Sequence, residues 1–307
     1  MFRLAHISDV HLGPLPDVSY RELASKRMVG YVNWQRNRKG MLQDGVLDSI
    51  VADIHTTGVD HLAITGDLVN LALDGEVELA RKWLETLGPP DRVSVVPGNH
   101  DAYVPGAFAK ACHAWSPWML SDGAHGFAGR ETFPYTRVRG SVALIGVTSA
   151  RATAPFMATG FFREGQAVRL RQALSQAREH GLFRVVMIHH PPVRDAVHPH
   201  KRLFGIGRFQ RVIRSFGAEL VLHGHSHLPS QYTIEGADGP VPVIGVAAAG
   251  QAPGSHHPVA QWNLLEISGV PGDWSVRLTR RAFTGTATAT MHETTVQLVG
   301  KAPVEAA

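Results

Sequence analysis

Arg92-Val93-Ser94-Val95-Val96-Pro97-Gly98-Asn99-His100-Asp101 is a short apolar run that breaks into an amide, an imidazole and a carboxylate. Its valines suit a buried strand, and Pro97-Gly98 ends it. Two earlier segments have the same form. Phe2-Arg3-Leu4-Ala5-His6-Ile7-Ser8 stops at Asp9-Val10-His11, and Asp60-His61-Leu62-Ala63-Ile64-Thr65 stops at Gly66-Asp67. Between them Val46, Leu47, Ile50, Val51 and Ile54 recur at helical spacing, with Gly58 as a C-terminal stop. Val77, Ala80, Leu84 and Leu87 mark a second helix, closed by Gly88-Pro89-Pro90. The order β-α-β-α-β predicts parallel strands joined by right-handed crossovers.

Farther along, Val142 to Val147 reads as a strand, and a helix is expected from about Gln166 to His180. Phe183 to Ile188 is again a strand, and it ends at His189-His190-Pro191-Pro192. A helix around Phe209, Val212, Ile213 and Phe216 precedes the strand Glu219 to Leu222, which terminates in His223-Gly224-His225-Ser226-His227. Stretches Val241 to Val246, Trp262 to Ile267 and Trp274 to Leu278 suggest an antiparallel finish. No internal repeat or linker is visible. One domain over residues 1–300 is therefore expected, with a frayed tail over 301–307.

The chain has 307 residues, 44% apolar and 18% charged, enough for a large core and too apolar for a disordered chain. No apolar stretch approaches the roughly eighteen residues of a membrane span, and the N-terminus lacks a signal-peptide core, so a cytoplasmic location is expected. Cys112 is the single cysteine. Alone it makes no intrachain disulfide and no thiolate metal site, so a bound metal must use His, Asp, Glu or Asn. The formal charge of +4 is concentrated in two short segments, 17–39 and 194–214, each with six basic residues. That asymmetry suits an anionic partner. Segment 26–39, with Met28, Tyr31, Val32 and Trp34 between basic ends, has three readings. A docked helix with a solvated basic face is favoured over peripheral contact with the inner face of a membrane, and nucleic acid comes last.

In an open α/β sheet, functional groups gather outside the C-terminal ends of the strands, so polar clusters more than two hundred residues apart can converge. Imidazole, carboxylate and amide oxygen without sulfur suit Mn, Fe, Zn or Co. Asp9 and His11, like His225 and His227, lie two apart and can share a face. Each piece alone would be an ordinary turn or strand end. Together, Asp9-x-His11, Gly66-Asp67, Gly98-Asn99-His100-Asp101, His189-x-Pro191 and Gly224-His225-x-His227 form an ordered set that resembles the calcineurin-like metallophosphoesterases, especially the compact bacterial phosphodiesterase type.

That resemblance implies a four-layer α-β-β-α sandwich, two mixed β-sheets flanked by helices, and a pair of divalent or mixed-valence metal ions. One ion would be held by Asp9, His11, Asp67 and His227, the other by Asp67, Asn99, His189 and His225, with Asp67 bridging. Such a pair, roughly 3.5–4 Å apart, lowers the pKa of a shared water towards about 7, so that a metal-bound hydroxide attacks phosphorus. His100 would then protonate the leaving alkoxide, oriented by Asp101. The substrate implied is an anionic phosphodiester of the cyclic nucleotide or glycerophosphodiester type. Asn70, His190, His198, His200, Lys201 and Arg202 are the candidate substrate-binding residues. Alternatives are a membrane-surface hydrolase of a phospholipid or lipid-linked diphosphate, and a nuclease or non-catalytic nucleic-acid module. The general acid beside a complete ligand set argues against a module.

Overall fold

Alternate residues of the central strands feed two different cores. Leu144, Val185, Leu220 and Leu222 lie in one buried cluster, and Ile145, Val186 and Val221 lie in another. A strand covered on both faces produces that division, because successive side chains point to opposite sides. The computed structural model describes residues 1–23, 25–35, 45–254, 257–284 and 291–300. The predicted tail, 301–307, and residues 36–39 of the basic segment 17–39 lie outside the described residues.

The strands, in chain order, are β1 (Phe2–Ile7), β2 (His61–Ile64), β3 (Val93–Val95), β4 (Tyr135–Arg139), β5 (Val142–Gly146), β6 (Gly160–Phe161), β7 (Phe183–Met187) and β8 (Leu203–Phe204). They continue with β9 (Leu220–His223), β10 (Gln231–Gly236), β11 (Gly239–Gly245), β12 (Gln261–Val270), β13 (Asp273–Phe283) and β14 (Met291–Val299). Helices are α1 (Tyr20–Leu23), α2 (Lys26–Asn33), α3 (Val46–Thr57), α4 (Asp74–Thr86), α5 (Ala107–Ala114), α6 (Glu164–Glu179) and α7 (Ile206–Phe216). One sheet runs β14-β13-β12-β1-β2-β3 and the other β10-β11-β9-β7-β5-β4. Both are mixed. β1, β2 and β3 are parallel, as are β5, β7, β9 and β11, while the outer pairings are antiparallel. This is the expected α-β-β-α sandwich, its larger core shared by the facing sheets and its smaller one lying under α6 and α7.

Helix α3 buries Val46, Ile50 and Ile54, and Gly58, at a φ of 70°, ends it where the sequence places the stop. The structure corrects the expected antiparallel finish in one place. Strand β11 is parallel to β9 in the second sheet, Val243 opposite Val221, whereas β12 and β13 form the antiparallel hairpin of the first. Strand β4 is absent from the sequence reading because Arg137 and Arg139 hide its alternation. Arg137 is buried, and its guanidinium donates to the carbonyls of Leu120, Pro90, Val93 and Pro117 at 2.5–2.8 Å.

His61, at the start of β2, shows what burial of an imidazole does to stability. Burial pushes its pKa down to about 3, aided by Arg139 and Arg137, and its Nε2 meets Ser94 Oγ at 2.8 Å. The unfolded chain takes up the proton near pH 6.5, so the folded state loses stability as pH falls from there towards about 3. Urea unfolding at pH 7 and pH 4.5 is expected to show a smaller pH difference for His61→Gln than for the wild-type chain. An identical difference would dismiss His61 as a contributor.

Candidate metal centre

Five strands end at one rim. The turns after β1, β2, β3, β7 and β9 carry Asp9 and His11, Asp67, Asn99 to Asp101, His189, and His225 with His227. Eight described non-glycine residues have positive φ, and five of them are Asp9, His11, Asp67, His225 and His227, at 47–66°. Left-handed backbone is costly for side-chain-bearing residues and persists where the surroundings impose it, as at functional sites. Two motif glycines permit the close approach of these turns. A Cβ on Gly98 would overlap Asp67 Oδ1, and one on Gly224 would overlap Ser8 Oγ.

The donor atoms converge, all on buried residues except that of His227. His189 Nε2 lies 3.4 Å from Asp67 Oδ2 and 3.2 Å from Asn99 Oδ1, while its Nδ1 donates to Thr65 O at 2.6 Å. His11 Nε2 lies 3.9 Å from the same Asp67 oxygen, with Nδ1 donating to Val69 O at 3.0 Å. His227 Nε2 stands 3.1 Å from Asp9 Oδ1. His225 donates its backbone N–H to Asp9 Oδ2 at 2.9 Å and its Nε2–H to Lys201 O at 2.9 Å, so Nδ1 is the ring nitrogen it could offer an ion. Carbonyls behind the rings thus set tautomer and orientation, as they do for metal-bound imidazoles. The sets Asp9-His11-His227, Asp9-Asp67-His189, His11-Asp67-His100 and His189-His190-His225 each bring one ligand atom per residue within 4.8 Å of the others.

Electrostatics at the rim favour cations. Burial works to raise the Asp9 and Asp67 carboxyls, yet the facing histidines hold both well below the usual range. Burial opposes a charge on His189, but Asp67, Asp9 and the Thr65 carbonyl together outweigh it and push this ring up to about 9. A proton on His189 therefore balances the carboxylates where a metal ion would do so by displacing it. Asp9 Oδ1 is buried, with the His227 ring nitrogen beside it. This donor set, oxygen and imidazole nitrogen without sulfur, fits a pair of borderline divalent ions.

The other predicted residues divide. His100 lines the cavity, donates its backbone N–H to Asp67 Oδ1 at 2.7 Å and its Nδ1–H to Asn70 O at 2.5 Å, and stacks on Tyr103. The group behind His100 is thus Asn70 O. Asp101, expected there, instead accepts from the backbone N–H groups of Gly98, Asp67, Leu68 and Val69 at 2.7–3.2 Å and ties the β2 and β3 turns together. Burial, then the charge of Asp67, pushes its pKa up to about 7. The Asn70 side chain is buried and donates to Leu12 O, and its carbonyl holds His100. Glu76, missed in the sequence, accepts from the N–H groups of Asn70, Leu71 and Leu73 and braces that carbonyl.

A cavity of about 380 Å³ opens over the donors, lined by Asp9, His11, Asp67, Asn99, His100, His225 and His227. Of the predicted substrate-binding residues, Lys201 alone lines it. His190 is buried, its Nε2–H donating to Ala158 O and its Nδ1 accepting from Ser149 Oγ. His198 and His200 pair with each other, and Arg202 lies over Phe204. Asn33 of α2, Gln251 after β11, and His257 also line the cavity and were not read from the sequence. An apolar run ending in Gly250-Gln251 gives little warning of a sixth strand end at the site. A larger hollow of about 690 Å³, beside Arg178, Arg184 and Trp274, shares none of these residues.

A family model for calcineurin-like phosphoesterases matches residues 2–229, and the chain belongs to that family. No curated protein matches it. Among solved structures it is similar to a dimetal phosphatase from Danio rerio, with 13% identity, a TM-score of 0.58, and coverage of 96% of this chain and 98% of that one. It is also similar to the purple acid phosphatase PPD1 of yellow lupin, with 14% identity and a TM-score of 0.55, covering 96% of this chain but 53% of that one. At these identities the likeness is one of fold.

Proposed function

We propose that this metallophosphoesterase hydrolyses a phosphodiester, and that Asp9, His11, Asp67 and His227 hold one metal ion while Asp67, Asn99, His189 and His225 hold the other. Mn, Fe, Zn and Co suit these donors. The supporting observation is the convergence of these groups, all but His227 buried, at an open cavity that every one of them except His189 lines. When bound, the pair neutralises phosphoryl charge and acidifies water for attack at phosphorus. His100, fixed through Nδ1 on Asn70 O, moves a proton at Nε2 to the leaving oxygen. Lys201 is the one Lys or Arg among the described lining residues, a positive charge matched to a diester monoanion rather than a monoester dianion.

Protein supplied with manganese, zinc or iron is expected to hydrolyse bis(p-nitrophenyl) phosphate, glycerophosphodiesters or cyclic nucleotides with higher kcat/KM than p-nitrophenyl phosphate. The reverse order would overturn the diester assignment. His100→Ala is expected to keep its metal and to lose about 10²–10⁴-fold in kcat on an alkyl diester, and much less on a p-nitrophenyl diester whose leaving group needs no proton. Equal losses on both substrates would dismiss His100 as the acid.

A further inference from the structure

We propose that the mouth of the cavity docks on an anionic lipid surface, with Met28, Val29, Val32 and Phe156 entering the headgroup layer and Lys201 and Arg202 against the phosphates. The helix α2 is turned opposite to what its composition suggests. Its cations face the protein: Lys26 Nζ donates to Thr153 Oγ1 at 2.7 Å and Met157 O at 2.9 Å, and Arg27 donates to Leu71 O and Ala72 O. Trp34, an interfacial anchor in the sequence reading, is 7% exposed. Outward stand Met28, Val29 and Val32, at 56%, 37% and 42% exposure. Nothing in their sequence spacing reveals this reversal.

The loop that Lys26 grips carries Phe156, 80% exposed and at a φ of 64°. From there the chain reaches Ala158 in the cavity wall, whose N–H donates to His200 O, and then Gly160, whose N–H donates to Arg202 O. Lys201 and Arg202 are exposed, and Lys201 lines the cavity beside Asn33 of α2. Apolar protrusions and cations therefore share one rim. Exposed apolar side chains on a short helix face and a loop suit insertion among headgroups, and the neighbouring cations complement anionic lipid. If the catalytic reading above holds, on which this corollary rests, the substrate is a phosphoester presented at a bilayer.

The test is co-sedimentation of the full chain with phosphatidylglycerol-rich or pure phosphatidylcholine vesicles at low and high salt, with hydrolysis of soluble bis(p-nitrophenyl) phosphate measured separately. Binding to the anionic vesicles, weakened by salt, is expected. Phe156→Asn, which tolerates the left-handed backbone, should lower partition about tenfold, the worth of one buried phenyl ring, and Met28→Ser should lower it further. Both should hydrolyse the soluble diester as the wild-type chain does. Absence of binding to anionic vesicles overturns the proposal. So does salt-sensitive binding that neither substitution changes, the behaviour of a site for an acidic macromolecule. Vesicle binding by a chain that hydrolyses no diester supports the docking surface and overturns the catalytic reading instead.

Discussion

Asp67→Asn protein is expected to fold, to lose one or both bound metal ions, and to hydrolyse diesters at least about 10²–10³-fold more slowly, the scale of removing a central electrostatic group. Asp67 Oδ2 faces both His11 and His189, whereas Oδ1 is fixed by the N–H of His100. Asparagine keeps the acceptor for that N–H and tolerates the left-handed backbone at φ 55°, so the substitution removes charge with little strain. Alanine would mix the loss of a ligand with backbone strain. Metal content by elemental analysis, read beside turnover, decides the matter. Two ions retained at wild-type affinity would remove Asp67 as the bridge.

The second large effect is on stability. Asp101→Asn is expected to lower the unfolding free energy by about 2–5 kcal/mol, because an amide offers one acceptor oxygen where four buried N–H groups converge on two. Those donors lie in the turns that carry Asp67 and Asn99, so metal content should fall with stability. Urea unfolding and elemental analysis on the same preparation test this. Unchanged stability with reduced turnover would instead return Asp101 to the role beside His100 that its position in the motif suggests.

That contrast shows how much of the site is legible in sequence. Asp9, His11, Asp67, Asn99, His189, His225 and His227 can be read because each follows an apolar strand, and polar residues at strand ends announce themselves by interrupting the pattern. Gly98 and Gly224 can be read as motif members, but their reason, contact with Asp67 and Ser8, cannot. Asn70 is expected at the substrate by its side chain, and the structure adds a role that no side chain announces, its carbonyl holding the His100 ring. Backbone groups carry no letter in the sequence. Gln251 and Asn33 escape notice for another reason: a lone amide after an apolar run or on a short helix has many ordinary explanations.

The alternation of apolar and polar residues along the chain by itself determined the order of β1, β2, β3, β5, β7, β9, β11, β12 and β13 and of helices α3, α4, α6 and α7, and the ordered motifs determined the candidate ligand types. Period and spacing are local properties, written within ten or so residues. Tertiary structure alone decided that β11 runs parallel to β9, that Lys26 and Arg27 turn inward while Met28 and Val32 turn out, and that Asp101 braces turns rather than orienting a ring. Each of these depends on which distant backbone donors and acceptors arrive at one place. A buried charge or amide goes where its hydrogen bonds can be completed, and that location exists only once the sheets have packed.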